Sequence, residues 1–468
     1  MNIPALWLNV LISPLSSGCR TSSAITAALG ADRSRERLFP AAAKGFPINS
    51  DVKISSTAVL TYIFDQHSAA DYALILNLQS CAVLAMTNTA LELEVIRHRE
   101  RSKSRDGLIF VIAMWFLSRS VIAIGIQVMA PLVCKNLPVH DGPRPPLGFV
   151  SGFLPKSGWE LFSHWDGKWY TQIANLGYSY ANDGQQHSVA FYPLFPLLIR
   201  GLMTLGMRAD AAGVLINSLA FLAALVLVYF WVGERYDAGA AKWTIAVLAW
   251  CPFSLFCTVV YTEGLFLFVT ASALRAFERG EYIWAAFWGA LTTATRGPGL
   301  ALIPAFLLVA WSEKRPPLAY VAGFASALGI FSFSLYCAIR FGDALAFVHV
   351  QKGWTQPTWF GIFKDFLRFR LYTRAIVVMV FGGCYLLWYL RKRLSITIIC
   401  FGFCSLALLI TSGVLQSVDR CAYAIVSLSI GLGLLLAARP RWGYVLMGLF
   451  GILLLRFSVK FANWVWVG

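Results

Sequence analysis

The chain has 468 residues, 58% of them hydrophobic and 13% charged, with a formal net charge of +16. A soluble domain is charged at about a quarter of its positions, so this composition excludes an ordinary water-soluble fold and assigns the chain to a bilayer. The positive charge does not indicate nucleic acid, because Lys and Arg stand in short clusters between apolar runs, where they act as topology signals and contacts to anionic lipid.

Residues 1–105 differ from the rest. The stretch 1–12 is apolar without a basic flank, and 72–86 is short and carries Asn77, Gln79 and Ser80, so neither reads as a signal peptide or a span. This part is expected to be a weakly ordered extension ending in a basic cytoplasmic cluster; the alternative is a natural start downstream, for instance at Met86. The cluster Arg97, Arg99, Arg101, Lys103 and Arg105 precedes the apolar run 108–133, which the positive-inside rule starts in the cytoplasm. The loop 134–190 is then extracytoplasmic, and it is too long and too rich in Pro and Gly to be a simple turn.

Further runs of spanning length are expected at 211–232, 243–260, 263–279, 318–339, 375–390, 394–411, 421–438 and 442–456. Two segments break this pattern. The stretch 191–205 holds Pro193 and Pro196 near its start and is expected not to cross. The stretch 282–311 is two apolar halves around Thr295-Arg296-Gly297-Pro298-Gly299, entering and leaving on one side. That parity puts the basic loops 234–242, 275–281, 313–315, 391–393 and 439–441 in the cytoplasm. It puts the Asp166 loop, Tyr261-Thr262-Glu263, Arg296, the loop 341–373 and Asp419-Arg420 on the opposite face. One conflict remains: loop 341–373 and the residue that follows it carry Lys352, Lys364, Arg368, Arg370 and Arg374, so either the parity fails or those cations serve an anionic ligand. The expected fold is an all-α polytopic membrane protein with about 9–11 spans, short broken or re-entrant helices among them. The ten cysteines, most inside apolar runs and none in a Cys-x-x-Cys pair, read as small core residues rather than a zinc site or disulfide framework.

The densest chemical signal is Ser163-His164-Trp165-Asp166-Gly167-Lys168-Trp169-Tyr170. An aromatic belt at the membrane surface needs no carboxylate, and a charged carboxylate among rings is poorly solvated, so Asp166 reads as a working group. His164 has three readings, a hydrogen bond to Asp166, a metal ligand or a residue at the water boundary; without a second ligand the last is favoured, and His187 and His349 read the same way. Glu263 opens one apolar helix, while Asp419 and Arg420 open another, and boundary charges of this kind are functional candidates. The plain alternatives are a favourable helix N-terminus for Glu263, and mutual pairing or snorkelling for Asp419 and Arg420. A helix broken at Arg296 is tolerated only where it lines protein or a watery cavity.

Moving a sugar from a lipid phosphate to an alcohol requires a base for the acceptor proton, cations for the departing phosphate and a groove for a prenyl chain. Asp166 fits the first role; Arg296, Arg420, Lys352 and Arg368 fit the second, since guanidinium forks match phosphate oxygens. Phosphate leaves without prior protonation, so one carboxylate suffices and inversion at the anomeric carbon follows. No cofactor is expected. Asp166, Asp183, Glu263, Asp343 and Asp419 could assemble an oxygen site for a divalent ion, but no spacing compels one. The competing readings are a transporter or lipid flippase, for which broken helices are equally natural but paired repeats are not found, and a scaffolding subunit of another membrane enzyme.

Six segments resemble, in order, the signature blocks of PIG-V-type mannosyltransferases: His164-Trp165-Asp166-Gly167, Phe191-Tyr192-Pro193-Leu194-Phe195-Pro196-Leu197, Tyr261-Thr262-Glu263-Gly264-Leu265-Phe266, Thr293-Ala294-Thr295-Arg296-Gly297-Pro298-Gly299, Phe341-Gly342-Asp343-Ala344-Leu345-Ala346-Phe347 and Ser417-Val418-Asp419-Arg420-Cys421-Ala422-Tyr423. That family includes the second mannosyltransferase of GPI-anchor assembly and prokaryotic relatives. The resemblance runs from about Leu108 to the C-terminus. It implies a GT-C-type fold, a polyprenyl-phosphate mannose donor, a glycolipid or protein acceptor, and Asp166 at the centre of catalysis. The candidate contacts to substrate and phosphate are His164, Trp165, Glu263, Arg296, Asp343, Lys352, Asp419 and Arg420. Where the family reads Ser-Glu this chain has Thr262-Glu263. Where it reads Arg-Ser-Asn-Gly this chain has Arg296-Gly297-Pro298-Gly299, losing two polar contacts, so donor or acceptor preference is expected to differ. The very short cytoplasmic loops point to a compact prokaryotic version in a bacterial inner membrane, or in the endoplasmic reticulum membrane if eukaryotic.

Overall fold

A computed structural model of the chain describes residues 104–134, 158–354, 364, 367–368, 371–411 and 417–467. The expectations for residues 1–103 and for Arg370 lie outside the described residues. Regular structure among the described residues is entirely helical. α1 (Ser104–Leu132) is followed, beyond the long loop, by α2 (Asp166–Leu176) and α3 (Leu194–Met203), neither of which is long enough to cross a bilayer. Then come α4 (Ala209–Arg235), α5 (Ala238–Trp250), α6 (Glu263–Glu278) and α7 (Tyr282–Thr295). α8 (Leu302–Ser312) follows a short 3-10 turn, and α9 (Pro317–Ala325) runs on into α10 (Leu328–Phe341). The remaining helices are α11 (Leu371–Tyr389), α12 (Ile396–Thr411), α13 (Val418–Tyr423), α14 (Val426–Ala438) and α15 (Pro440–Ala462).

Four of these stretches, α1, α4, α9 with α10, and α15, are long and apolar enough to span a membrane. Their outward faces carry Phe116, Ile339, Val445 and Ile452, each at least 60% exposed. Such side chains are costly in water and at home in lipid. The protein is therefore an integral membrane protein. α6 lies inside the bundle, with nearly every residue buried, which is why it can be apolar all round.

The apolar run 243–260 does not form one span. α5 stops at Trp250, Pro252 opens a 3-10 turn over Pro252–Cys257, and the chain stays irregular to Thr262. Proline cannot continue the hydrogen-bond ladder, and the freed carbonyls are held by side chains from other helices. Arg119 of α1 donates to the Ser254 carbonyl at 2.9 Å and the Ala249 carbonyl at 3.3 Å. Asn217 of α4 donates to Phe256 at 2.7 Å and Val259 at 2.8 Å. The run 421–438 is likewise divided, α13 ending at Tyr423 and α14 starting at Val426.

Three of the basic loops assigned to one face, 234–242, 275–281 and 313–315, gather there. Glu234, Arg275, Arg279, Glu313, Arg315 and Ser395, from the ends of four helices, line one cavity. The opposite group gathers as well, since Asp166, Glu263, Arg296 and Arg420 are in direct contact. The described start of loop 341–373 sits with this second group, the Trp354 ring lying 6.3 Å from Trp169 and 6.2 Å from Phe191.

Candidate active site

Asp166 is positioned by an unusual turn. Trp165 adopts φ 52° and ψ −121°, a conformation that bulky residues rarely take, and the next residue begins α2. The Asp166 backbone N–H donates to the Tyr261 hydroxyl at 3.3 Å, and the Val260 N–H donates to the Phe162 carbonyl at 2.9 Å. These two bonds join the loop before α2 to the irregular segment before α6. Gly167 permits the approach: a Cβ there would stand 3.2 Å from the Val260 carbonyl oxygen.

α6 starts at Glu263, where an acid also suits the helix N-terminus. Its early N–H groups lack intrahelical partners, and Asn217 Oδ1 accepts one of them, from Gly264, at 2.8 Å. Only glycine fits here, because a Cβ on Gly264 would meet the Asn217 carbonyl oxygen at 2.3 Å. Asn217 thus fixes both the irregular segment and the origin of α6.

Arg296 ends α7 in extended geometry, and the Gly297–Ala301 turn breaks the helix as the sequence implied. The break rests on the Phe191–Pro196 motif: a Cβ on Gly297 would lie 3.0 Å from the Tyr192 hydroxyl. Arg420 comes from α13, at the second helical break.

These elements bring four charges into an alternating row. Arg420 Nη1 donates to Asp166 Oδ2 at 2.8 Å. Arg420 Nε stands 3.2 Å from Glu263 Oε1, an ion pair without hydrogen-bond alignment. Glu263 Oε1 also accepts from Arg296 Nη1, and Glu263 Oε2 accepts from the Thr262 backbone N–H at 3.1 Å. The Arg420 guanidinium faces the rings of Tyr261 at 5.1 Å, Phe256 at 5.3 Å and Trp466 at 5.9 Å, and Arg296 Nη2 reaches Cys421 Sγ at 3.8 Å.

Exposure separates the two acids. The Glu263 side chain is 0% exposed, that of Asp166 25%, with Arg420 at 10% and Arg296 at 12%. Glu263 can only balance the two guanidiniums, whereas Asp166 can meet a molecule from outside. Mutual pairing of Asp419 with Arg420 is not what forms. Arg420 turns to Asp166 and Glu263, and Asp419 Oδ1 is buried without a hydrogen-bond partner among the described residues.

The remaining candidates lie around this row rather than in it. His164 is buried, its Nδ1 3.0 Å from the Phe461 carbonyl and its ring stacked 4.0 Å from Trp464. Burial pushes its pKa down to about 4, the Phe461 contact opposing this. Trp165 packs edge-on against Trp466 at 5.3 Å, and Lys168 lies 4.2 Å over the Trp464 ring. Asp343 belongs to a separate cluster, accepting from Tyr180 at 2.7 Å with His349 Nδ1 at 2.8 Å. Those contacts with His349 and Tyr180 hold its carboxyl below the usual range. Lys352 sits on an exposed 3-10 turn, and Lys364 and Arg368 are exposed. No group of three or more His, Cys, Asp or Glu side chains poised for a metal is found among the described residues.

Sequence reasoning missed Asn217, Arg119 and the tail residues Trp464 and Trp466. The first two carried a signal, a polar or charged residue inside an apolar run; the tail carried none beyond interfacial tryptophans.

Comparison with known proteins supports the resemblance read from the signature blocks. Residues 138–351 match the family model described as Mannosyltransferase (PIG-V). The match takes in the first five blocks and stops before the Asp419-Arg420 block. The chain is 29% identical over 180 residues to GPI alpha-1,6-mannosyltransferase 2 of Homo sapiens, covering 34% of each chain. It is 27% identical over 186 residues to GPI mannosyltransferase 2 of Drosophila pseudoobscura pseudoobscura, covering 35% of this chain and 40% of that one. The chain thus matches about a third of the length of these curated relatives. Among solved structures, ArnT from Cupriavidus metallidurans bound to undecaprenyl phosphate aligns with a TM-score of 0.44 and 15% identity, over 72% of this chain and 62% of that one.

Proposed function

We propose that the chain is an inverting mannosyltransferase of the GT-C type, moving mannose from a polyprenyl phosphate to the hydroxyl of a glycolipid or protein acceptor. The observation that carries this reading is the asymmetry of the charged row: one reachable carboxylate beside two guanidiniums that a second, sealed carboxylate holds in place. Asp166 takes the acceptor O–H proton as that oxygen bonds to the anomeric carbon. The bond from that carbon to the phosphate oxygen breaks on the opposite face, and its electron pair leaves on the phosphate. Departure turns a singly charged phosphodiester into a phosphate monoester of higher charge, which Arg420 and Arg296 stabilise with donors that need no reorganisation. Glu263 keeps both arginines aimed while no substrate is bound. The family match over residues 138–351 supports mannose as the sugar. The basic clusters at the other end support an extracytoplasmic site, at a bacterial inner membrane or, in a eukaryote, the endoplasmic reticulum.

The test is transfer by purified protein from synthetic polyprenyl-phosphate mannose, with the anomeric configuration of the product read by NMR. Inverted product supports the reading. No transfer from any polyprenyl sugar, or retained configuration, contradicts it.

A further inference from the structure

At the end of the bundle away from the charged row, two cavities of opposite character adjoin. One, of about 320 Å³, is polar and lies between the ends of α4, α6, α8 and α12. The other, of about 300 Å³, is a groove walled by Leu227 of α4 and by Trp284 and Trp288 of α7. Arg275 and Arg279 line both. The groove follows a single face of α6: Phe268, Ser272, Arg275, Ala276 and Arg279 recur at helical spacing. The small side chains at 272 and 276 leave the floor open, and the arginines close its head. From Phe268 to Arg279 the helix rises by roughly 16 Å, about the depth of one leaflet's hydrocarbon, given a core of about 30 Å. A polar chamber joined through two arginines to an apolar groove of leaflet depth, with tryptophans on its wall, has the form of an amphiphile.

The charges narrow the headgroup. Arg235, Arg275, Arg279 and Arg315 are the cations of the two cavities. They are balanced by Glu234, Glu278, Glu281 and Glu313. Glu234 holds Arg275 at 2.8 Å and Arg279 at 2.9 Å, while Arg279 Nη1 is 4.0 Å from Glu281, too far for a hydrogen bond. Donor capacity therefore remains at the groove's head. A headgroup with surplus negative charge would unbalance such a chamber, whereas one phosphate and one primary ammonium would leave it neutral, the phosphate on the arginines and the amine on the glutamates.

We propose that this end of the bundle is a binding site for an aminophospholipid, with phosphate at Arg275 and Arg279, amine in the chamber and one acyl chain in the Leu227, Trp284 and Trp288 groove. The proposal is independent of the transferase reading. The experiment is native mass spectrometry of the full chain in detergent, titrated with phosphatidylethanolamine, phosphatidylcholine and phosphatidylglycerol. Phosphatidylethanolamine should bind about tenfold more tightly than the other two, since only it adds amine hydrogen bonds to a charge-neutral headgroup. Arg279→Gln should weaken all three lipids by about tenfold, since each brings the phosphate that this arginine receives. Leu227→Trp, which fills the groove and leaves every ion pair intact, should abolish retention even if the arginine variant folds poorly. Asp166→Asn should bind as the parent does. Equal affinity for the three lipids, full binding by Leu227→Trp, equal stabilisation by free phosphoethanolamine, or loss of binding in Asp166→Asn would each overturn the proposal.

Discussion

Replacing Glu263 by Gln keeps the volume of a fully buried side chain and removes one charge from between two guanidiniums. Two unit charges about 4 Å apart attract by about 4 kcal/mol at an effective dielectric constant of 20. Glu263 Oε1 contacts both Arg296 and Arg420, so two attractions of that order are lost, while Asp166 still balances only one arginine. Relaxation and water entry recover part of this, and removing one partner of a buried pair costs about 3–5 kcal/mol in practice. We therefore expect Glu263→Gln to lower stability by about 3 kcal/mol, a factor of about 150 in the folded fraction. Arg296→Gln alone leaves Glu263 with Arg420 and should cost less. The double variant restores one acid to one arginine, so its cost should fall below the sum of the singles by about 1–3 kcal/mol. Unfolding of the purified variants in detergent, followed by tryptophan fluorescence, measures all three. Additive costs, or a Glu263→Gln protein as stable as its parent, would refute the buried alternating row.

The other predictions follow from single contacts. Gly264→Ala should destabilise by about 1–3 kcal/mol through overpacking against the Asn217 carbonyl; thermal unfolding of this variant matching the parent's would show that α6 does not start as described. His164 has a folded pKa of about 4 against 6.5 for the free side chain. The unfolded chain therefore binds more protons between those values, and stability rises with pH through that window and falls on acidification. The term is on the order of 3 kcal/mol between pH 7 and pH 4, and His164→Phe, which keeps the ring stacked on Trp464, should flatten that part of the pH-stability curve. Arg119→Met should destabilise by about 1–3 kcal/mol, since it removes the guanidinium donor to the Ser254 carbonyl and leaves the Ala249 carbonyl with the Ser254 hydroxyl; unchanged proteolytic resistance of the 251–262 segment would contradict this.

Much of the site could be read from the sequence because charge inside an apolar chain is costly and therefore scarce. Asp166, Glu263, Arg296 and Arg420 stood out for that reason, and parity put them on one face. What parity could not supply was the pairing. Whether Arg420 meets its neighbour Asp419 or Asp166, 254 positions away, depends on where α13 breaks. The break at Arg296 was legible because Gly and Pro cluster there. The end of α5 was not, because hydropathy is blind to the hydrogen bonds that Arg119 and Asn217 give the irregular segment after it. Motif and charge single out Asp343 and Lys352 in the sequence. The structure places Asp343 with Tyr180 and His349, a contact across 163 residues that no periodicity announces.

In the proposed reaction Asp166 removes the acceptor proton beside the arginines that receive the phosphate. The most direct measurement is turnover of Asp166→Asn in proteoliposomes holding polyprenyl-phosphate mannose and acceptor, alongside unfolding and donor-binding measurements on the same preparation. We expect a rate loss of about 10³-fold, within the usual span for a general base, with folding and donor binding retained. Turnover equal to that of the parent would show that Asp166 is not the base.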